Sequence, residues 1–238
     1  MRRALLASAV AALGVALAAA PADAARTVQV MVVGKTSVLA GPQKVKLTAR
    51  TVKVRGKRCA TGTRTALSAL AATKLPLTFT DYGACSKRPA ESGSLYVRSI
   101  AGERAQGADG WVYKVGRRVG STGAADPSGS FGNGRRLRTG QKVLWFWCVK
   151  DAADACQRTL EIAAPRTVAP GAAFRATVRG YDENGGGVPV AGVEVAPGAV
   201  TDAGGTATVT APAAAGTLTL RASAPGLVQA FPRKVAVG

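Results

Sequence analysis

Two stretches, DGWVYKVG (residues 109–116) and GQKVLWFWC (residues 140–148), decide how this chain folds. Both are rich in Val, Trp and Tyr, and glycine bounds them, a composition typical of β-strands. They also contain all three tryptophans of the chain, Trp111, Trp145 and Trp147. We therefore predict that the two stretches pair as strands and that the first domain is built around them.

The alternation of side chains suggests where these strands lie. Trp111 and Tyr113 share one face of the first strand, whereas residues 143–148 are apolar on both faces. A strand that is apolar on both faces is usually central and covered on both sides, which favours buried tryptophans. The alternative is that one face is a partly exposed aromatic platform for a ligand.

The connection between the two stretches, residues 116–140, is unusually long. It has no periodic apolar pattern, and loops well beyond the common length of about 4–6 residues are usually functional or disordered. It carries the pairs Arg117-Arg118 and Arg135-Arg136. Guanidinium groups suit phosphate and carboxylate, so we predict an anion-binding face here. The alternative is a solvated, solubilising surface.

Composition excludes several kinds of chemistry. The chain of 238 residues has no histidine, which removes histidine-based triads and the commonest zinc ligand. Its serines lie outside any G-x-S-x-G elbow, its glycines form no P-loop, and its few acidic residues show no obvious dyad. We predict a protein that is not an enzyme, with no catalytic residues, no metal site and no cofactor.

Charge and composition divide the chain near Leu160. The net charge is +19, and residues 26–163 carry 24 Lys/Arg against 8 Asp/Glu, compared with 6 against 4 in residues 164–238. The second part is dominated by Ala, Gly, Val, Thr and Pro. We predict a signal peptide over residues 1–24, a first domain over 26–163 and a second over 164–238.

The amino terminus resembles a Sec-type secretion signal. Arg2 and Arg3 precede an apolar run over residues 4–19, and Ala22-Asp23-Ala24 is a small-x-small cleavage site. The alternative is a membrane anchor. We expect a protein that is secreted or associated with the cell surface, with no transmembrane segment after cleavage.

Export changes the interpretation of the four cysteines. An even number of cysteines in an exported chain indicates disulfides, and four allow three pairings. We favour Cys59–Cys85 and Cys148–Cys156, because the members of each pair are nearest in sequence. A zinc site is the alternative, although neither spacing is C-x-x-C.

The other local patterns favour a mainly β fold with one short helix. Residues 26–33 and 45–54 alternate like strands, with a turn at Gly41-Pro42, and Thr65 caps a helix over TALSALAAT. Further predicted strands cover residues 77–82, 95–100, 174–181, 188–195, 206–210, 217–222 and 234–237. The short, evenly spaced strands of the second domain indicate a β-sandwich.

Two resemblances follow from these motifs. Residues from about 45 to 162 resemble exported bacterial domains related to the C-terminal domain of transcobalamin and intrinsic factor, on the helix TALSAL and on GWVYKV (110–115) and GQKVLW (140–145). Gln141 departs from the family's usual Asp. The resemblance implies a compact α+β domain with one helix on curved sheets. In the cobalamin carriers, that domain covers part of the ligand.

The second domain resembles bacterial immunoglobulin-like modules of surface proteins. The matching residues are VPVAGV (188–193) and TDAGGTA (201–207). This resemblance implies a spacer or a weak interaction module without catalysis.

We therefore expect a secreted, non-catalytic ligand-binding module of the cell envelope or extracellular space. Its partner would be a small molecule or an anionic cell-wall polymer. The alternative is a structural or adhesive envelope protein held to such polymers by charge. The secretion signal and the lack of a nucleic-acid motif argue against nucleic acid. The candidate binding residues are Tyr96, Trp111, Tyr113, Arg117, Arg118, Arg135, Arg136, Trp145 and Trp147.

Overall fold

The computed structural model describes residues 26–83, 85 and 95–238, and in these ranges the protein is mainly β with one helix, as predicted. The predicted signal peptide, residues 1–24, lies outside the described residues. Within the same ranges, no helix has the length and apolarity needed to cross a bilayer.

Two hydrophobic cores divide the described chain into an N-terminal unit, residues 26–158, and a C-terminal unit, residues 159–238. The N-terminal unit contains helix α1 (Ala66–Ala71) and the strands β1 (Thr27–Val33), β2 (Val38–Lys46), β3 (Thr51–Val54), β4 (Lys57–Ala60), β5 (Leu77–Thr80), β6 (Tyr96–Ile100), β7 (Glu103–Arg104), β8 (Gly110–Val115), β9 (Arg118–Val119) and β10 (Lys142–Cys148). The C-terminal unit contains the strands β11 (Thr159–Ala163), β12 (Thr167–Val168), β13 (Ala173–Tyr181), β14 (Gly187–Pro189), β15 (Glu194–Ala196), β16 (Ala199–Val200), β17 (Thr206–Thr210), β18 (Gly216–Ser223) and β19 (Arg233–Val237).

A five-stranded sheet in the order β2-β1-β10-β8-β9 organises the N-terminal unit. The predicted strand pair is present, because β8 and β10 are antiparallel neighbours that place Tyr113 opposite Trp145 and Trp111 opposite Trp147. On its other side β10 pairs with β1 in parallel. The strand with two apolar faces is therefore the central one, as its sequence predicted.

The helix packs against one face of this sheet. Thr65 caps it as predicted, with its side chain accepting from the Ser68 N–H while the Ser68 hydroxyl accepts from the Thr65 N–H. Leu67 and Leu70 are fully buried in the same core as the tryptophans. Because an isolated helix of six residues is unstable in water, this packing holds it.

The predictions for residues 41–54 need correction. Gly41 and Pro42 do not form the turn between strands but lie inside β2, where the pairing with β1 shifts register between Val30 and Val32. A bulge accommodates a proline that has no N–H to donate. The predicted strand 45–54 is in fact the end of β2 followed by β3, which pairs with β4.

Both predicted disulfides are present. Cys59–Cys85 links β4 to the segment after β5, and its Cys59 end is fully buried. Cys148–Cys156 ties the end of β10 to the segment that leads into the C-terminal unit.

The C-terminal unit consists of two sheets that share one core, with β13 paired to β11, β14 and β17, and a second sheet in the order β12-β19-β18-β15-β16. β11 belongs here, because residues 159–163 pair with β13, so the unit begins before the predicted boundary at 163. The predicted strand 188–195 is interrupted and forms β14 and β15.

The C-terminal unit covers the second face of the central sheet. Met31, Leu144 and Phe146 form a buried cluster with Val228 of the C-terminal unit, and Phe231 packs against it. This contact explains why β10 is apolar on both faces: one face meets α1 and the other meets the C-terminal unit.

Candidate functional site

The nine predicted binding residues lie in four separate places. Trp111, Tyr113 and Trp145, three of the four predicted aromatic residues on β8 and β10, line one cavity together with Tyr96. Trp147 lies between the two units, Arg117 and Arg118 lie where the units touch, and Arg135 and Arg136 line another pocket.

The cavity lined by Tyr96, Trp111, Tyr113 and Trp145, here called the aromatic cleft, has a volume of about 360 Å³. Tyr82, whose exposed fraction is 71%, also borders it. The rings of Trp111, Tyr113 and Trp145 are themselves buried, so they are not the exposed platform that was one alternative. They belong to the core and border a cavity within the unit.

Internal hydrogen bonds fix these rings. The Trp111 indole N–H donates to the Glu103 carbonyl at 2.8 Å, and the Trp145 indole N–H donates to the Ala66 carbonyl at 3.3 Å. The Tyr113 hydroxyl donates to the Thr122 carbonyl at 3.0 Å. Because their donors are used inside the protein, the three side chains present mainly apolar ring surface to the cleft.

The rings also constrain one another. The Tyr113 and Trp145 ring centroids lie 5.3 Å apart at an interplanar angle of 34°.

Burial raises the pKa of Tyr113, an effect that its hydrogen bonds partly offset, and burial also raises the pKa of Tyr96. Both phenols therefore stay neutral at ordinary pH, which suits an apolar ligand.

Two glycines that are not among the nine predicted binding residues shape the cleft. A Cβ atom at Gly120 would overlap the Tyr113 ring, and a Cβ atom at Gly110 would lie 2.7 Å from the Tyr96 hydroxyl. Gly110 is the first residue of β8 and Gly120 follows β9. In the sequence, a glycine that makes room for a ring cannot be told from a glycine that forms a turn.

Trp147 lies outside the aromatic cleft. It lines an interunit cavity of about 380 Å³ that residues 223–229 of the C-terminal unit also border. The Lys35 Nζ lies 4.2 Å from its ring centroid, and Trp111 meets it edge-on at 5.6 Å. Such cation–π and edge contacts stabilise the packing of a buried indole.

Arg117 and Arg118 contact the C-terminal unit. The Arg117 Nε and Nη2 donate to the two Glu161 carboxylate oxygens at 2.9 and 2.7 Å, and its guanidinium lies 4.5 Å from the Tyr181 ring centroid. This pair raises the pKa of Arg117 and lowers the pKa of Glu161. Arg118 lies over the Phe131 ring and close to Gly185. In this structure both residues therefore contribute to contacts within the protein.

Lys114, on the face of β8 opposite Trp111 and Tyr113, is a buried residue outside the nine predicted binding residues. Its Nζ donates to the Thr159 hydroxyl at 2.9 Å and to the carbonyls of Tyr181 at 2.9 Å and Asp182 at 2.7 Å. All three acceptors belong to the C-terminal unit. Burial lowers the pKa of Lys114 to about 8, against the opposing charges of Asp182 and Glu183.

No protein-family model, curated protein or solved structure matches this chain. The transcobalamin-like and immunoglobulin-like resemblances therefore stay predictions from the motifs.

Proposed function

We propose that this protein is a non-catalytic ligand-binding protein that holds a small, largely apolar molecule in the aromatic cleft. The observation that carries the proposal is the convergence of Tyr96, Trp111, Tyr113 and Trp145 on a single cavity. Its volume of about 360 Å³ falls within the range typical of small-molecule sites.

The chemistry of the walls supports an apolar ligand. None of the described residues that line the cleft is acidic or basic, and the main polar side chains are Tyr82, Tyr96, Tyr113 and Thr122. Because Trp111 and Tyr113 lie on the same strand and Trp145 on its neighbour, the sheet holds the aromatic walls in place before binding. A preformed site loses little conformational entropy on binding, which favours affinity.

The proposed place of action is outside the cytoplasm. Two disulfides are typical of exported proteins, and the sequence of residues 1–24 predicts a Sec signal. The finer assignment to the cell surface or the surrounding medium rests on that predicted signal.

The test uses N-phenyl-1-naphthylamine, a neutral apolar fluorophore, titrated into the mature protein. We expect saturable one-to-one binding with energy transfer from tryptophan and little dependence on salt. Tyr82→Ala removes an exposed wall, and Gly123→Trp places a large side chain at the cleft, so each should weaken binding at least ~10-fold, about 1.4 kcal/mol. Val200→Ala, an exposed position in the C-terminal unit, is the matched control.

Truncating Trp111 itself would not be a clean test. Its side chain is buried in the core, and removing a core aromatic typically costs about 3–5 kcal/mol of folding stability. Loss of binding in that variant would therefore report loss of the fold.

Charge-driven adhesion to an anionic wall polymer, the alternative from the sequence, makes a different prediction. Retention on isolated envelopes would then fall steeply with salt, since exposed charges are screened, and the cleft variants would be retained like the wild type. If the fluorophore does not bind and retention follows that pattern, charge-driven adhesion replaces ligand binding in the cleft as the proposed function.

A further inference from the structure

A second pocket of about 380 Å³ in the N-terminal unit is lined by four arginines, Arg64, Arg135, Arg136 and Arg138. We call it the arginine pocket. Only Arg135 and Arg136 belong to the predicted binding residues. Arg64 comes from the segment before α1, so the pocket joins parts of the chain that are far apart in sequence. Apart from the arginines, only Gly134 among the described residues lines it.

A buried leucine anchors the loop that carries three of these arginines. Leu137 is 2% exposed, and its N–H donates to the Arg64 carbonyl at 3.0 Å. In return, the Arg64 Nε donates to the Leu137 carbonyl at 2.9 Å. Because Leu137 points into the core, its neighbours Arg136 and Arg138 are held at the surface beside Arg64.

Further contacts position the other arginines. The Arg136 Nε donates to the Pro127 carbonyl at 2.9 Å, and the Arg138 N–H donates to the Gln141 side chain at 2.7 Å. Gly129 packs so closely on Arg135 that a Cβ atom there would overlap its carbonyl. The fold of the loop thus fixes the main chain of Arg135 and Arg138, and side-chain hydrogen bonds hold Arg64 and Arg136.

The arrangement concentrates positive charge. Burial, followed by the charges of Arg26, Arg136 and Arg138, lowers the pKa of Arg64. Arginine nevertheless stays protonated, because its ordinary pKa is far above physiological pH. Within the described residues no carboxylate lines the pocket, so the repulsion between these groups would be relieved by an anion.

We propose that the arginine pocket binds a phosphate group, either of a small phosphate compound or of a phosphodiester polymer. One guanidinium fork satisfies a carboxylate, whereas the several oxygens of a phosphate can accept from several forks at once. The hydrogen bonds of Arg64 and Arg136 to carbonyls use Nε, so these bonds do not occupy the Nη groups of either side chain. The proposal is independent of the aromatic cleft, with which the pocket shares no lining residue.

The test measures binding of inorganic phosphate and of poly(glycerol phosphate) to the mature protein at constant ionic strength. The main variant is Arg135→Gln/Arg138→Gln, since both side chains are exposed. The main-chain N–H groups of these two residues donate to the side chains of Asn133 and Gln141, and the substitutions leave those N–H groups in place. Arg64→Gln is the second variant. The matched control, Arg175→Gln/Arg221→Gln, removes the same charge from exposed positions of the C-terminal unit.

We expect the main variant and Arg64→Gln to weaken binding at least ~10-fold and the control to change it less than ~2-fold, with melting temperatures confirming the fold of each. Acetate at the same ionic strength should bind at least ~10-fold more weakly than phosphate. If the pocket variants weaken the binding of both probes and the control does not, a small phosphate compound is a sufficient ligand. If only the polymer binds, and the pocket variants weaken that binding, the ligand is a phosphodiester chain. Equal losses in main variant and control, or no binding of either probe, would overturn the proposal.

Discussion

Replacing Lys114 with methionine tests how the two units are held together. Lys114 is 1% exposed, and its ammonium donates three hydrogen bonds, all to the C-terminal unit. Methionine has a similar length and volume but no donor. The substitution therefore removes the three bonds while leaving little empty space.

The magnitude follows from the groups left behind. The Tyr181 and Asp182 carbonyls lose a donor in a buried contact, and an unsatisfied buried acceptor costs about 1–3 kcal/mol. Removing a charge from a buried site offsets part of this cost. We expect Lys114→Met to lower the free energy of unfolding by about 2–4 kcal/mol.

The assay is urea unfolding followed by tryptophan fluorescence, since all three tryptophans lie in the N-terminal unit, combined with amide hydrogen exchange in residues 159–183. Exchange there should rise as the contact between the units opens. Lys142→Met is the matched control, because Lys142 is exposed and meets only the edge of the contact, 5.2 Å from the Phe231 ring centroid. If both variants unfold at the same urea concentration, the buried ammonium does not hold the units together.

Three further predictions concern other parts of the molecule. Because the pKa of Lys114 is about 8 in the folded chain and 10.5 ordinarily, the unfolded chain holds an extra proton between these values. The free energy of unfolding of the wild type should therefore rise relative to that of Lys114→Met as pH rises from 8 to 10.5, and this gain should be lost as pH falls back through 8. Urea midpoints of both proteins across this pH range measure the difference. Gly120→Ala should displace the Tyr113 ring, lowering stability by about 1–3 kcal/mol and weakening fluorophore binding, as thermal melts and titration would record; unchanged binding would show that this ring does not shape the site. Replacing the cysteines of Cys59–Cys85 with serine should lower the free energy of unfolding by about 3.5 kcal/mol, and replacing those of Cys148–Cys156 by about 2.5 kcal/mol, because the first disulfide closes the longer loop. Denaturant unfolding curves that show the larger loss for Cys148–Cys156 would contradict the loop-length argument.

Local patterns predicted the parts of the fold that depend on neighbours in sequence. The apolar character of both faces over residues 143–148 predicted the central strand, and Thr65 forms the expected cap. Nearest-neighbour reasoning gave both disulfides correctly. The role of Gly41-Pro42 was missed, because a bulge in β2 arises only from its pairing with β1.

The roles of the candidate site residues were harder to predict, because they depend on which parts of the N-terminal unit the C-terminal unit covers. Lys114 follows a tyrosine on a strand and looks solvent-facing until the C-terminal unit is placed against it. Arg117 and Arg135 belong to one loop but reach different neighbours, Glu161 in one case and the arginine pocket in the other. Sequence spacing does not carry this information.

The parallel pairing of β1 with β10 has a consequence for a chain that emerges amino end first. β1 can pair at once with β2, its neighbour in sequence, but its other edge waits until residues 142–148 have emerged. Closing so long a loop is slow, and an unpaired strand edge promotes association with other chains. The Cys59–Cys85 bridge involves only residues that emerge earlier, so it can form during this interval and shorten the segment that must be ordered when β10 arrives.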